Sequence, residues 1–167
     1  IYVMDEANIE CHGNFGISNM EPWAPAFIDR MERMIRRDRN HSSVVFWSMG
    51  NEAGVGKNFY MTRDAAKKLD DRPIHYCGDY TGDAKTADMD SWMYPSFEEM
   101  IRVDNWDREK PFILCEYAHS MGNSTGSMDD YWELIRKYDC LLGGHIWDWK
   151  DQGIVGVNEQ GVKYWKY

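Results

Sequence analysis

The chain has 167 residues, of which 43% are hydrophobic and 28% charged, and it carries a net charge of −9. That length supplies one domain with a sizeable core, and the acidic balance excludes a nucleic-acid binder, which needs clustered Lys and Arg against phosphates. No run reaches the apolar length of a membrane helix, and no charged-then-apolar signal segment opens the sequence.

In chain order, a first strand is predicted over residues 2–4, entered as if in mid-domain. It runs into the polar cluster Asp5, Glu6, Asn8, Glu10 and His12. Residues 26–39 read as a helix because Phe27, Met31, Met34 and Ile35 recur at helical spacing. Arg30, Arg33, Arg36, Arg37 and Arg39 fall opposite them as a solvated face. A second strand over 44–48 leads to Asn51 and Glu52, and a helix follows over 59–69. Strands over 74–76 and 91–94 come next, the latter ending at Tyr94. A short helix over 96–103 precedes a strand over 112–115 that runs straight into Glu116 and then His119. Met128, Tyr131, Trp132 and Ile135 carry a helix over 128–138. The last strand, over 145–149, brings Trp147, Asp148 and Asp151 to its end.

Strands alternating with helices imply a parallel sheet with helical crossovers. The strands are short apolar runs, as strands covered on both faces should be. An open nucleotide-binding sheet lacks its G-x-G-x-x-G after the first strand. In a (β/α)8 barrel, function collects at the carboxyl ends of strands, which is where the polar residues fall here. The predicted fold is therefore α/β, a TIM barrel, with residues 1–167 forming part of one catalytic domain. About six strands are counted against the eight a closed barrel needs, so the barrel is expected to be incomplete here.

Cys11, Cys77, Cys115 and Cys140 are widely spaced with no C-x-x-C pair. Reduced and mostly buried thiols are expected, rather than a zinc site or a disulfide framework. The sequons at Asn40 and Asn123 are assigned no glycan. His75 and His145 have no partner visible in sequence and are read as structural. The 8 Trp are read first as core, although flat rings also stack on sugar C–H faces.

Two carboxylates at strand ends suit glycoside hydrolysis, in which one protonates the leaving oxygen and the other attacks or activates water. Glu52 and Glu116 are the candidates. Asn51 is placed to hydrogen-bond a sugar hydroxyl, and Tyr94 to donate to Glu116 and keep it anionic. Glu10 and His12, two apart, either share a cation with Glu52 or are hydrogen-bonded loop residues; the spacing leaves both open.

The stretches DEANIECHG, DRNHSSVVFWSMGNEAGVG, ILCEYAHSMGNSTG and GGHIWDWKDQG together resemble the catalytic barrel of β-galactosidases in glycoside hydrolase family 2. The likeness covers nearly the whole chain, with Cys11 standing where threonine is expected and Ser42 where proline is. The resemblance implies a retaining hydrolase that releases terminal β-D-galactose by double displacement. Glu52 would be the acid/base and Glu116 the nucleophile. Tyr94 would lie beside the nucleophile, His119 would bind sugar hydroxyls and Trp147 would form the sugar platform. It further implies Mg2+ on Glu10, His12 and Glu52, and Na+ on ligands mostly outside this chain. The segment would hold strands 3 to 8 of the catalytic domain and be inactive in isolation, its parent a homo-oligomer acting on β-galactosides, away from nucleic acid and membrane. A bacterial cytoplasm is the expected setting, with a periplasmic one as the alternative. Another family 2 exo-glycosidase (glucuronidase or mannosidase type) and a non-catalytic galactoside-binding barrel are the rival readings.

Overall fold

The computed structural model describes residues 1–78, 86–104, 110–121, 125–149 and 153–166; Asp151 and the sequon at Asn123 lie outside the described residues. Six parallel strands follow one another in space as they do in sequence: β1 (Val3–Glu6), β2 (Val44–Asn51), β3 (Ile74–Cys77), β4 (Asp90–Met93), β5 (Phe112–Tyr117) and β6 (Leu141–Ile146). Backbone ladders join β1 to β2 to β3, and β4 to β5 to β6. Between the two sheets, the Asp88 amide donates to Ile74 O at 2.8 Å and the Ser91 hydroxyl to Tyr76 O at 3.2 Å. The described strands thus form an arc rather than a closed barrel, because β1 and β6 share no ladder.

The helices pack where their apolar stripes direct them. Helix α1 (Ala24–Asp38) turns Phe27, Met31, Met34 and Ile35 inward and links Arg33 to Asp29 and Arg36 to Glu32 along its wet face. Helix α2 (Lys57–Lys67) buries Phe59, whose ring meets Phe27 at 5.2 Å and Tyr76 at 4.0 Å, tying α1, α2 and β3 into one core. Helix α3 (Phe97–Asp104) begins with a capping box: the Glu99 amide donates to Ser96 Oγ, and the Ser96 amide to Glu99 Oε2. With α4 (Met128–Lys137) it covers a second core around Phe112, Leu114 and Tyr117. No helix among the described residues is long and apolar enough to cross a membrane.

Two expectations are corrected. The last parallel strand begins at Leu141 and ends at Ile146, so Trp147 to Trp149 lie beyond it. Its centre is Gly143-Gly144, which hides the strand from an apolar pattern. A side chain at Gly144 would meet Leu114 Cβ at 2.8 Å, so β6 can lie against β5 only because no side chain stands there. Beyond it, β7 (Ile154–Val157) and β8 (Lys163–Lys166) form an antiparallel hairpin that the sequence reading missed. Its turn is held by Asn158 Oδ1, which accepts the amides of Gln160 and Val162.

Candidate active site

The carboxyl ends of the parallel strands carry the polar residues, each tied by its backbone to the neighbouring strand or loop. Asn51 closes β2 and its amide donates to Ile9 O, while the next amide, that of Glu52, donates to Cys77 O at 3.0 Å. The Tyr94 amide, just past β4, donates to Glu116 O, and that of Trp147, just past β6, donates to Tyr117 O. Glu52 and Tyr94 take positive φ, 45° and 49°, as does Ala118 after β5 at 48°. Left-handed backbone at non-glycine residues is costly and clusters where function demands a particular side-chain direction. Here it turns the chain sharply at three strand exits, with Glu52 and Tyr94 at two of them.

Glu116 itself lies within β5, its side chain half-buried, and accepts a hydrogen bond from the Tyr94 hydroxyl at 2.6 Å. Burial raises its carboxyl above the usual range; Tyr94 opposes that rise, while the charges of Glu52 and Glu10 add to it. The expected Tyr94 contact is therefore present, but it moderates the shift and does not reverse it. Burial, and then the bond to Glu116, push the Tyr94 phenol upward, so it remains a donor. The His119 ring lies 5.7 Å from that of Tyr94, and its charge helps to lower Glu116. Glu116 and Trp147 share a cleft of about 250 Å³ with Glu6, Glu10, Asn51 and Cys115. Glu52 opens instead into an adjoining cleft of about 280 Å³ beside His12, Phe15 and Val55.

Under the first cleft runs a polar chain that spans four strands, β1 to β4, and was not visible in sequence. The Ser48 hydroxyl donates to Glu6 Oε2 at 2.7 Å, His75 Nδ1 stands 2.9 Å from Ser48 Oγ, and His75 Nε2 stands 3.0 Å from Ser91 Oγ. Complete burial holds the His75 pKa down at about 3, so the ring is neutral between two hydroxyls. Burial also raises Glu6, against the bond from Ser48. His75 is thus satisfied and structural, as expected, yet it also lines the cleft, as does His145. Strand alternation could have flagged Glu6, since it lies two residues beyond Met4 on the same face.

None of the four cysteines is in a disulfide, but only Cys77 is fully buried. Of the expected cation ligands, His12 Nε2 and Glu52 Oε2 come within 3.8 Å, and Glu10 joins Asn51 through a backbone bridge. Among the described residues no three His, Cys, Asp or Glu side chains are arranged to hold a metal ion. Glu10, His12 and Glu52 thus do not form a ready-made cage.

Residues 1–167 match the family described as glycosyl hydrolases family 2, TIM barrel domain. Over the whole chain, the sequence is 41% identical to a β-galactosidase of Psychromonas ingrahamii and 44% identical to one of Pseudoalteromonas haloplanktis. It spans 18% of the length of each of these relatives. Among solved structures, the apo β-glucuronidase of Ruminococcus gnavus superposes with a TM-score of 0.55 at 19% identity, over 74% of this chain and 29% of that one. A family 2 member from Bacteroides cellulosilyticus gives 0.57 at 21% identity, over 76% and 18%. At such identity the structural likeness speaks for the fold alone.

Proposed function

The chain belongs to glycosyl hydrolases family 2, matching its TIM barrel domain, and on that premise we propose that it is part of the catalytic barrel, strands 3 to 8, of a retaining β-galactosidase. The observation that carries this reading is the Glu116 carboxylate, half-buried at a strand end, bonded to Tyr94 at 2.6 Å and within the electrostatic reach of Glu52. Glu116 attacks the anomeric carbon of a terminal β-galactoside while Glu52 protonates the departing oxygen. Water deprotonated by Glu52 then releases galactose from Glu116. Tyr94 holds the nucleophile's oxygen in one orientation. Asn51 and His119 hydrogen-bond sugar hydroxyls, and Trp147 offers its face to the ring. The identity with curated β-galactosidases supports galactose as the sugar.

Mg2+ remains part of the proposal for the full-length protein. Glu10, His12 and Glu52 would hold it after drawing closer, and the bound cation would supply a fixed positive charge beside the acid/base. Chelation should then lower activity, and added Mg2+ should restore it; activity indifferent to both removes the metal from the proposal. A homo-oligomer is likewise proposed, to be read by light scattering on the full-length protein.

The decisive experiment treats the full-length protein with 2-deoxy-2-fluoro-galactosyl fluoride and maps the adduct by peptide mass. A stable galactosyl ester on the Glu116 peptide establishes sugar, retention and nucleophile together. Trapping by the glucuronosyl or mannosyl analogue instead redirects the specificity, and binding without turnover or adduct reduces the barrel to a sugar-binding module.

A further inference from the structure

The mechanism leaves unused a pair of thiols beside the nucleophile. Cys77 ends β3 and Cys115 lies on β5 immediately before Glu116, yet their Sγ atoms stand 2.8 Å apart and both line the Glu116 cleft. Their partnership is invisible in sequence because it is made across the arc, over β4. We propose that Cys77 and Cys115 form a binding site for a soft, thiophilic cation that accepts two ligands, such as Hg2+, Ag+ or Cu+, and that its occupation silences the cleft above it.

Three observations select this ligand class. First, no third His, Cys, Asp or Glu side chain among the described residues converges with the pair to hold a metal. Zinc, which takes four ligands in structural sites, is therefore a poor fit, whereas soft thiolate donors favour monovalent copper and its kin. Second, β4 lies between the two backbones. Across it the two sulfurs stand 2.8 Å apart, beyond the roughly 2.05 Å of a disulfide bond, and no disulfide joins them. A cation between two sulfurs, with metal–sulfur bonds of about 2.3 Å, spans more than a disulfide does, and its binding rotates the two side chains outward from their 2.8 Å contact. Third, neither sulfur is in a disulfide and the Cys115 thiol donates to Cys77 Sγ, a bond that together with burial raises Cys115 and keeps it protonated until a metal displaces the proton.

Binding breaks two S–H bonds and forms two S–metal bonds. Two protons pass to solvent, and no electron changes hands. Apparent affinity should therefore rise about a hundredfold per pH unit, whereas capture by one thiol gives about tenfold.

The test uses the full-length protein containing this stretch, with Hg2+ as the probe. Bound ions are counted by native mass spectrometry, and free thiols by a colorimetric reagent. The wild type should hold one tightly bound ion more than either Cys77→Ser or Cys115→Ser, and should lose two titratable thiols on loading. Cys11→Ser and Cys140→Ser should retain that ion. Equal ion counts in the wild type and both cleft variants, loss of the ion in only one of them, or a tenfold pH dependence would overturn the site. The predicted silencing rests on the galactosidase reading, but the ion count does not. If the count behaves as stated while no galactoside is hydrolysed, the site stands and that reading falls.

Discussion

At the scale of single residues, the candidate site is governed by opposed influences on a few ionisable groups. The Glu116 carboxyl is lifted by burial and by neighbouring carboxylates, and held back by the Tyr94 phenol. Only its ionised form can attack, so removing the phenol should raise its pKa and carry the acidic limb of kcat/KM to higher pH. Tyr94→Phe in the full-length protein should also cost about 10- to 100-fold in rate, as expected for one hydrogen bond to a charged group. An acidic limb that stays in place would show that Tyr94 does not control the nucleophile. His75 has the opposite character, for burial keeps it neutral with a pKa of about 3, against 6.5 in an unfolded chain. Below pH 6.5 the unfolded state takes up a proton that the folded state refuses, so stability from this residue is lost as pH falls from about 6.5 towards 3. Asp5, raised by burial and by Asp38 to about 6, slopes the other way over part of that range. The clean measurement is therefore a difference. The denaturation midpoint of the wild type relative to His75→Gln should fall as the solution is acidified, and a difference independent of pH would assign no such burden to His75.

At the scale of elements, the helices hold the strands so that their ends can carry function. Phe59 is wholly buried where α1, α2 and β3 meet. Phe59→Ala should destabilise the domain by about 3–5 kcal/mol, the range for emptying an aromatic core position. Urea denaturation of the full-length protein should show the loss, and a change below about 1 kcal/mol would mean that this junction collapses without penalty. Much of this level was legible in sequence, because α1, α2 and α4 carry apolar stripes and β2 and β5 open on apolar runs, Val44–Trp47 and Phe112–Cys115. Strand β6 was displaced because Gly143 and Gly144 break its pattern, although they are what let it approach β5. The hairpin β7–β8 escaped because Ile154, Val155 and Trp165 are exposed, so no alternation of buried and wet positions marks it. Strand ends drew attention to Glu52 and Glu116 from the chain alone. The connections Tyr94–Glu116 and Cys77–Cys115, and the chain through Ser48 and His75, run between strands, and only the register of neighbouring strands decides them.

At the scale of the molecule, the described strands form an arc with β1 at one end and β6 at the other, each paired on one side only. An unpaired strand offers a row of free backbone donors and acceptors, a template for another chain. Apolar side chains add to the exposure: Ile1 and Tyr2 run into β1, Leu142 and Ile146 lie on β6, and Val155 and Trp165 lie on the hairpin. The relatives are several times longer than these 167 residues, and chain outside this segment could cover such edges. Expressed alone, the 167-residue polypeptide should self-associate, bind hydrophobic dyes and fail to hydrolyse aryl galactosides, while the full-length protein remains soluble and active. Size-exclusion chromatography with an activity assay on the same fractions separates the possibilities. A monomeric, dye-silent and active 167-residue chain would mean that the arc closes on itself in solution, and that the cleft around Glu116 needs no help from outside.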